Sequence, residues 1–134
     1  MSNAHTPDAY PAQYLEGLRL FNAEDFFESH DVLEELWSEC QDGHKKFYQG
    51  LIQAAVALFH FGNGNLGGAK KVYLSSCKYL EPYRPECAGL DVARFLDDLA
   101  FCFQELIDDQ QACPVGIELR DDRIPKIALA GRND

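Results

Sequence analysis

The stretch at about residues 45–61 is apolar nearly all the way round, with Phe47, Leu51, Ile52, Ala54, Ala55, Leu58, Phe59 and Phe61 leaving only a narrow polar strip. A helix that is oily on every side belongs in the middle of a bundle, and the flanking sequence supplies its neighbours. Tyr14, Leu18 and Phe21 recur at helical spacing, with Leu15 alongside, which predicts a first helix over about residues 11–21 with Pro11 near its start. Asn22 then reads as the N-cap of a second helix over about 23–40, with Asp25 completing a weak capping arrangement. That helix places Phe26, Leu33 and Trp37 on one face and Glu28, Asp31, Glu35 and Glu39 opposite, and Gln41-Asp42-Gly43 ends it.

After the central helix, the glycine- and asparagine-rich run 62–68 is a turn. A fourth helix over about 66–80 turns Ala69, Tyr73, Cys77 and Leu80 inward and is closed by Pro82 and Pro85. Asp91 caps a fifth over about 92–111, whose Phe95, Leu96, Leu99, Phe103 and Leu106 form a clean stripe and which Pro114 ends. The last twenty or so residues, with Ile117, Leu119, Ile124, Ile127 and Leu129, follow neither helical nor strand period. They are expected to cross the bundle as an extended strap, a short hairpin being the alternative. The expected fold is all-α, a five-helix bundle with an extended C-terminal strap, in one domain over 10–134. No internal repeat is evident. Residues 1–9, where Ser2-Asn3-Ala4 resembles an expression scar, are expected to be disordered or expression-derived.

Charge and cysteine usage narrow the function. A formal charge of −10 repels a phosphate backbone, so no nucleic-acid partner is expected; Lys70, Lys71, Lys78 and Arg84 read as a solvated helix face. The five cysteines, Cys40, Cys77, Cys87, Cys102 and Cys113, are odd in number and contain no C-x-x-C pair, which argues for free thiols in a reducing compartment. The longest apolar run, 54–61, is broken by His60 and too short for a bilayer, and no signal-like segment opens the chain. A cytoplasmic protein with no membrane partner is the expectation.

The polar positions in oily surroundings carry the chemistry. His30 and Glu34 are four residues apart on the second helix, about 40° and about 80° from Phe26 on the helical wheel, which directs them inward or to the core's edge. Gln49, Gln53 and His60 fall within about 40° of one another on the third helix. With antiparallel neighbours, His30 is expected to meet Gln53 while His60 faces the opposite end of the second helix. Either these groups form a hydrogen-bond network that only sets helix register, or they line a pocket in which Glu34 serves as general base or ligand. The zincin and di-iron patterns both fail, because Phe27, Gln41 and Ala57 stand three residues before His30, His44 and His60. A mononuclear site on His30, Glu34 and His60 stays open. Nucleophilic serine or cysteine motifs and a phosphate-binding glycine loop are not found.

The runs Phe21-Asn22-Ala23-Glu24-Asp25-Phe26-Phe27-Glu28-Ser29-His30-Asp31-Val32-Leu33-Glu34-Glu35-Leu36-Trp37, Phe47-Tyr48-Gln49-Gly50-Leu51-Ile52-Gln53 through His60, and Asn65-Leu66-Gly67-Gly68-Ala69 resemble a small helical family catalogued as domain of unknown function 309. The resemblance implies an all-α bundle and marks Asn22, Glu28, His30, Glu34, Trp37, Gln49, Gly50, Gln53, His60, Asn65 and Gly68. The sequence departs from the family pattern at Asp31, where Glu is usual. The family brings no activity to transfer. The resulting expectation is a small-molecule or divalent-metal pocket between the second and third helices, possible as a hydrolase, with Glu34, His30 and His60 as catalytic or metal-ligating groups. Gln49, Gln53, Trp37, Asn22 and Asn65 would contact substrate. The alternative is a non-catalytic protein-interaction module. Whether the protein is an enzyme, and which cofactor it uses, stay open.

Overall fold

The computed structural model describes residues 10–111 and 114–130; the expectations for 1–9 and for Cys113 lie outside them. Among the described residues five α-helices form: α1 (Ala12–Asn22), α2 (Phe26–Glu39), α3 (Lys45–Gly62), α4 (Leu66–Leu80) and α5 (Val92–Asp108). Each of the first four packs antiparallel on the next. Gln13 reaches Glu35 and Phe21 meets Phe26 across α1 and α2, while Phe27 meets Phe59 and Lys45 reaches the Trp37 carbonyl across α2 and α3. The oily third helix sits between α2 and α4, as its composition requires.

Two interhelical contacts repeat. Ser29 of α2 donates its hydroxyl to the Gly17 carbonyl of α1 at 2.8 Å, and Ser76 of α4 donates to the Gly50 carbonyl of α3 at 2.8 Å. One turn later on each donor helix, Leu33 and Leu80 lie so close to Gly17 and Gly50 that an added Cβ would come within 2.5 and 2.6 Å of a leucine carbon. The turns match too. Asp25 N–H bonds the Leu20 carbonyl and Glu24 N–H the Phe21 carbonyl, while Asn65 N–H bonds His60 and Gly64 N–H bonds Phe61. Both are Schellman closures, with Glu24 (φ 66°) and Gly64 (φ 79°) in the left-handed region. The second hairpin is thus the first with about one heptad added to each arm, an internal repeat that the sequence reading missed.

This closure also corrects the reading of Asn22. It is not an N-cap but the last residue of α1; α2 begins at Phe26 behind Asp25, whose side chain makes no capping bond. Asn22 instead clamps the C-terminal segment. Its Nδ2 donates to the Ile127 carbonyl and its Oδ1 accepts from the Ile127 N–H, both at 2.8 Å, as a β-strand partner would.

The segment 114–130 runs as a strap with a single 3-10 turn (Asp121–Arg123), burying Ile124, Ile127 and Leu129. Arg120 holds it to α5 through paired bonds to the Glu105 carboxylate, both at 3.1 Å, and Ala130 N–H bonds the Gly89 carbonyl. Gly89 belongs to a small hairpin that the sequence did not disclose: β1 (Glu86–Cys87) and β2 (Leu90–Asp91) pair antiparallel around Ala88 and Gly89, both at positive φ. Asp91 then caps α5 through the Arg94 N–H at 3.0 Å, as expected. The helix stops at Asp108, short of the predicted 111, and Asp109 accepts from the Gln111 N–H instead. Phe95 meets Phe21, and Phe103 stacks on Tyr73 at 4.5 Å, so α5 joins both hairpins in one hydrophobic cluster.

Candidate functional site

At the end of the bundle where α2 starts and α3 finishes, Phe26, Phe27, His30, Val56, Phe59 and His60 line a groove of about 160 Å³. Antiparallel pairing explains the location, because the first turns of α2 face the last turns of α3. It also corrects the expectation that His60 lies at the other end of α2 from His30. The rings of Phe27 and Phe59 are 5.5 Å apart and stay 49% and 37% exposed, so the groove has a solvent-facing aromatic rim.

The two imidazoles are held in opposite states. His30 Nδ1 lies 2.7 Å from the Phe27 carbonyl oxygen, which only accepts, so Nδ1 carries the proton and, in the neutral ring, Nε2 is an acceptor. His60 Nδ1 lies 3.3 Å from Asn65 Nδ2. The amide cannot turn round without cost, because its Oδ1 accepts from the Gly68 N–H at 3.2 Å and caps α4. Nδ1 of His60 is therefore the acceptor, and its Nε2 carries the proton.

The chain matches the family described as Domain of unknown function (DUF309) over residues 14–72. It is 32% identical over 119 residues to the uncharacterized protein YpuF of Bacillus subtilis (strain 168), an alignment covering 86% of this chain and 68% of that protein. A second relative, an uncharacterized protein of Aquifex aeolicus (strain VF5), is 46% identical over 46 residues, 34% of this chain and 14% of its own length. The chain belongs to the DUF309 family. Every residue lining the groove falls inside the DUF309 segment, and α5 and the strap fall outside it.

Not all the predicted DUF309 site residues converge. Glu34 is exposed and is absent from the groove lining. The buried stripe of α2 runs through Phe26, Ser29, Leu33 and Leu36, which leaves His30 at its edge and turns Glu34 outward. There Glu34 joins His30 and Asp31, which offer one potential ligand atom each within 4.8 Å of one another; His60 is not part of that group. Among the described residues no hydrogen bond joins His30 to Gln53. Gln53 Oε1 and Trp37 Nε1 are buried without a partner, and the Trp37 ring carries the Lys45 ammonium 4.2 Å above it. Gln49 is half-buried on α3. A register-setting network would need these groups bonded to one another, and among the described residues Gln53 Oε1 and Trp37 Nε1 have no such bond.

The groove walls Phe26, Phe27, Val56 and Phe59, and Asp31 beside Glu34, were not among the expected site residues. Phe27 and Phe59 sit three and one residues before the two histidines, off the buried stripes, and that juxtaposition was the available signal. Larger clefts of about 510 and 470 Å³ flank the strap, but two of their cations are engaged already, Arg94 beside Asp98 and Lys126 on Glu24.

Proposed function

We propose that this DUF309 protein binds a small apolar organic molecule in the groove between α2 and α3, with Phe27 and Phe59 clasping it and the His30 and His60 rings completing the wall. The observation that carries this reading is that Phe26, Phe27, Val56 and Phe59 line one apolar groove whose rim rings, Phe27 and Phe59, are left exposed to solvent. Sites of this kind combine apolar walls with a few placed polar atoms. The role is binding rather than hydrolysis, because Glu34, the carboxylate a hydrolase would use as base, stands outside the groove. Titration with toluene, followed by amide chemical shifts, is expected to move Phe27, His30, Val56, Phe59 and His60, and a Val56→Phe variant is expected to block it. Shifts confined to other surfaces overturn the reading.

A divalent ion on His30, Asp31 and Glu34 is the second reading, favoured by their clustered ligand atoms. The two separate by mutation. Glu34→Gln abolishes zinc binding and spares toluene, whereas His60→Ala weakens groove binding and spares the ion. We place the protein in the cytoplasm as one working unit over 10–134, without nucleic-acid partners. Support comes from the free thiols of Cys40, Cys77, Cys87 and Cys102, the shared core and the formal charge of −10. Among the described residues no helix is long and apolar enough to cross a membrane.

A further inference from the structure

We infer that the chain associates with itself, the outward face of α2 in one copy docking on the outward face of α4 in another, with Phe27 against Leu74 and carboxylates against lysines. The repeated hairpins give the two faces a common layout. Ser29 and Ser76 make the same bond, to Gly17 and to Gly50, and two residues before each serine stands a large apolar side chain, Phe27 on α2 and Leu74 on α4. Both are about equally exposed, at 49% and 51%. A single exposed apolar side chain is ordinary; what surrounds these two is not. Asp31 and Glu34 follow Phe27 at one-turn intervals, both exposed, so this stripe of α2 is acidic. Lys71 and Lys78 stand one turn to either side of Leu74, both exposed, so the matching stripe of α4 is basic. Other cations are taken, Arg19 by Glu16, Arg84 by Glu81 and Lys126 by Glu24. Among the described residues no carboxylate pairs with Lys71 or Lys78.

Charge complementarity selects a second copy as the occupant. Chains with a formal charge of −10 repel one another at long range, but beyond a Debye length of about 8 Å at physiological salt that repulsion is screened, and the α4 face is where the sign reverses. Laid antiparallel with Phe27 beside Leu74, the helices bring Asp31 to Lys71, four residues after the one and three before the other. Parallel docking would instead set Glu34 against Glu81, each seven residues on. Such pairs fix which faces meet more than they add affinity, and the contact is expected to be weak, with Kd between about 10 µM and 1 mM.

Sedimentation equilibrium with a chelator present, so that no ion bridges the carboxylates, tests this with two charge-reversed variants. Lys71→Glu with Lys78→Glu, and Asp31→Lys with Glu34→Lys, are each expected to weaken self-association about tenfold or more. An equimolar mixture of the two regains it, because each variant supplies the face the other needs. The second variant is less acidic than the wild type, so an effect of net charge alone would strengthen its self-association. Leu74→Ser is expected to weaken the wild-type contact about tenfold through lost apolar burial. A wild type still monomeric at about 1 mM would overturn the inference, as would variants that associate like the wild type or a mixture that fails to regain association.

Discussion

At the scale of single residues, two glycines set how closely the helices approach. Alanine at position 17 would drive its Cβ into Leu33, which is fully buried and has no room to swing away. Overpacking of this kind costs about 1–3 kcal/mol, while exchanging glycine for alanine within a helix returns about 1 kcal/mol. Gly17→Ala is therefore expected to lower stability, and Gly50→Ala, which meets Leu80 in the same way, to do likewise. Thermal unfolding of both variants, with Leu33→Ala as the coupled partner, reads this out; an unchanged midpoint would mean the helices do not touch there. The thiols behave oppositely to a reactive site. Burial pushes Cys102 up to about 12, so it stays protonated and is expected to resist thiol reagents at neutral pH in the folded protein, which a timed alkylation would show.

At the scale of elements, the strap depends on one side chain. Asn22→Ala removes both bonds to Ile127, and the loss is expected to be about 1–3 kcal/mol, with the Ile127 amide exchanging faster and the strap cut earlier by protease. Rapid exchange at Ile127 already in the wild type would contradict the clamp. The same residue shows how much the sequence disclosed. All five helices followed from apolar stripes, and the strap from the lack of any period. Asn22 was misread because an asparagine before a charged turn looks like a cap, whereas the left-handed Glu24 closes α1 and frees the amide for the strap, 105 residues away. Glu34 was misplaced because Trp37 was counted as core; the true stripe is centred near Ser29 and Leu33, and a buried serine carries no apolar signal. The hairpin at Glu86 to Asp91 was invisible because two-residue strands have no periodicity to detect. The two histidines were assigned to opposite ends of α2, whereas the antiparallel order of α2 and α3 lines both along one groove.

At the scale of the whole molecule, acid and base should act unequally. Burial raises the phenols of Tyr14, Tyr48 and Tyr73 above their ordinary value near 10, that of Tyr48 to about 12. An acid with a raised folded value keeps its proton while the unfolded chain loses it, so stability is intact below pH 10 and falls as pH climbs from 10 to about 12. The lowered carboxyls work in the other direction. The hydrogen bond from Arg19 holds Glu16 down, the His44 N–H does so for Asp42, and Arg120 does so for Glu105, so their contributions are present at neutral pH and lost as pH falls through the carboxylate range. All three are solvent-exposed and their effect is small. Urea unfolding at pH 3, 7 and 11.5 is expected to show a larger loss at the alkaline end; equal losses would mean the tyrosines are not buried as described.

The groove joins these scales, since a helix carbonyl, a cap and the antiparallel order of α2 and α3 together present one donor and one acceptor imidazole. Long-range proton–nitrogen correlation of the histidine rings in the neutral form tests this most directly. The account predicts the proton on Nδ1 for His30 and on Nε2 for His60. Both rings protonated at Nε2, the form an unconstrained imidazole prefers, would contradict it.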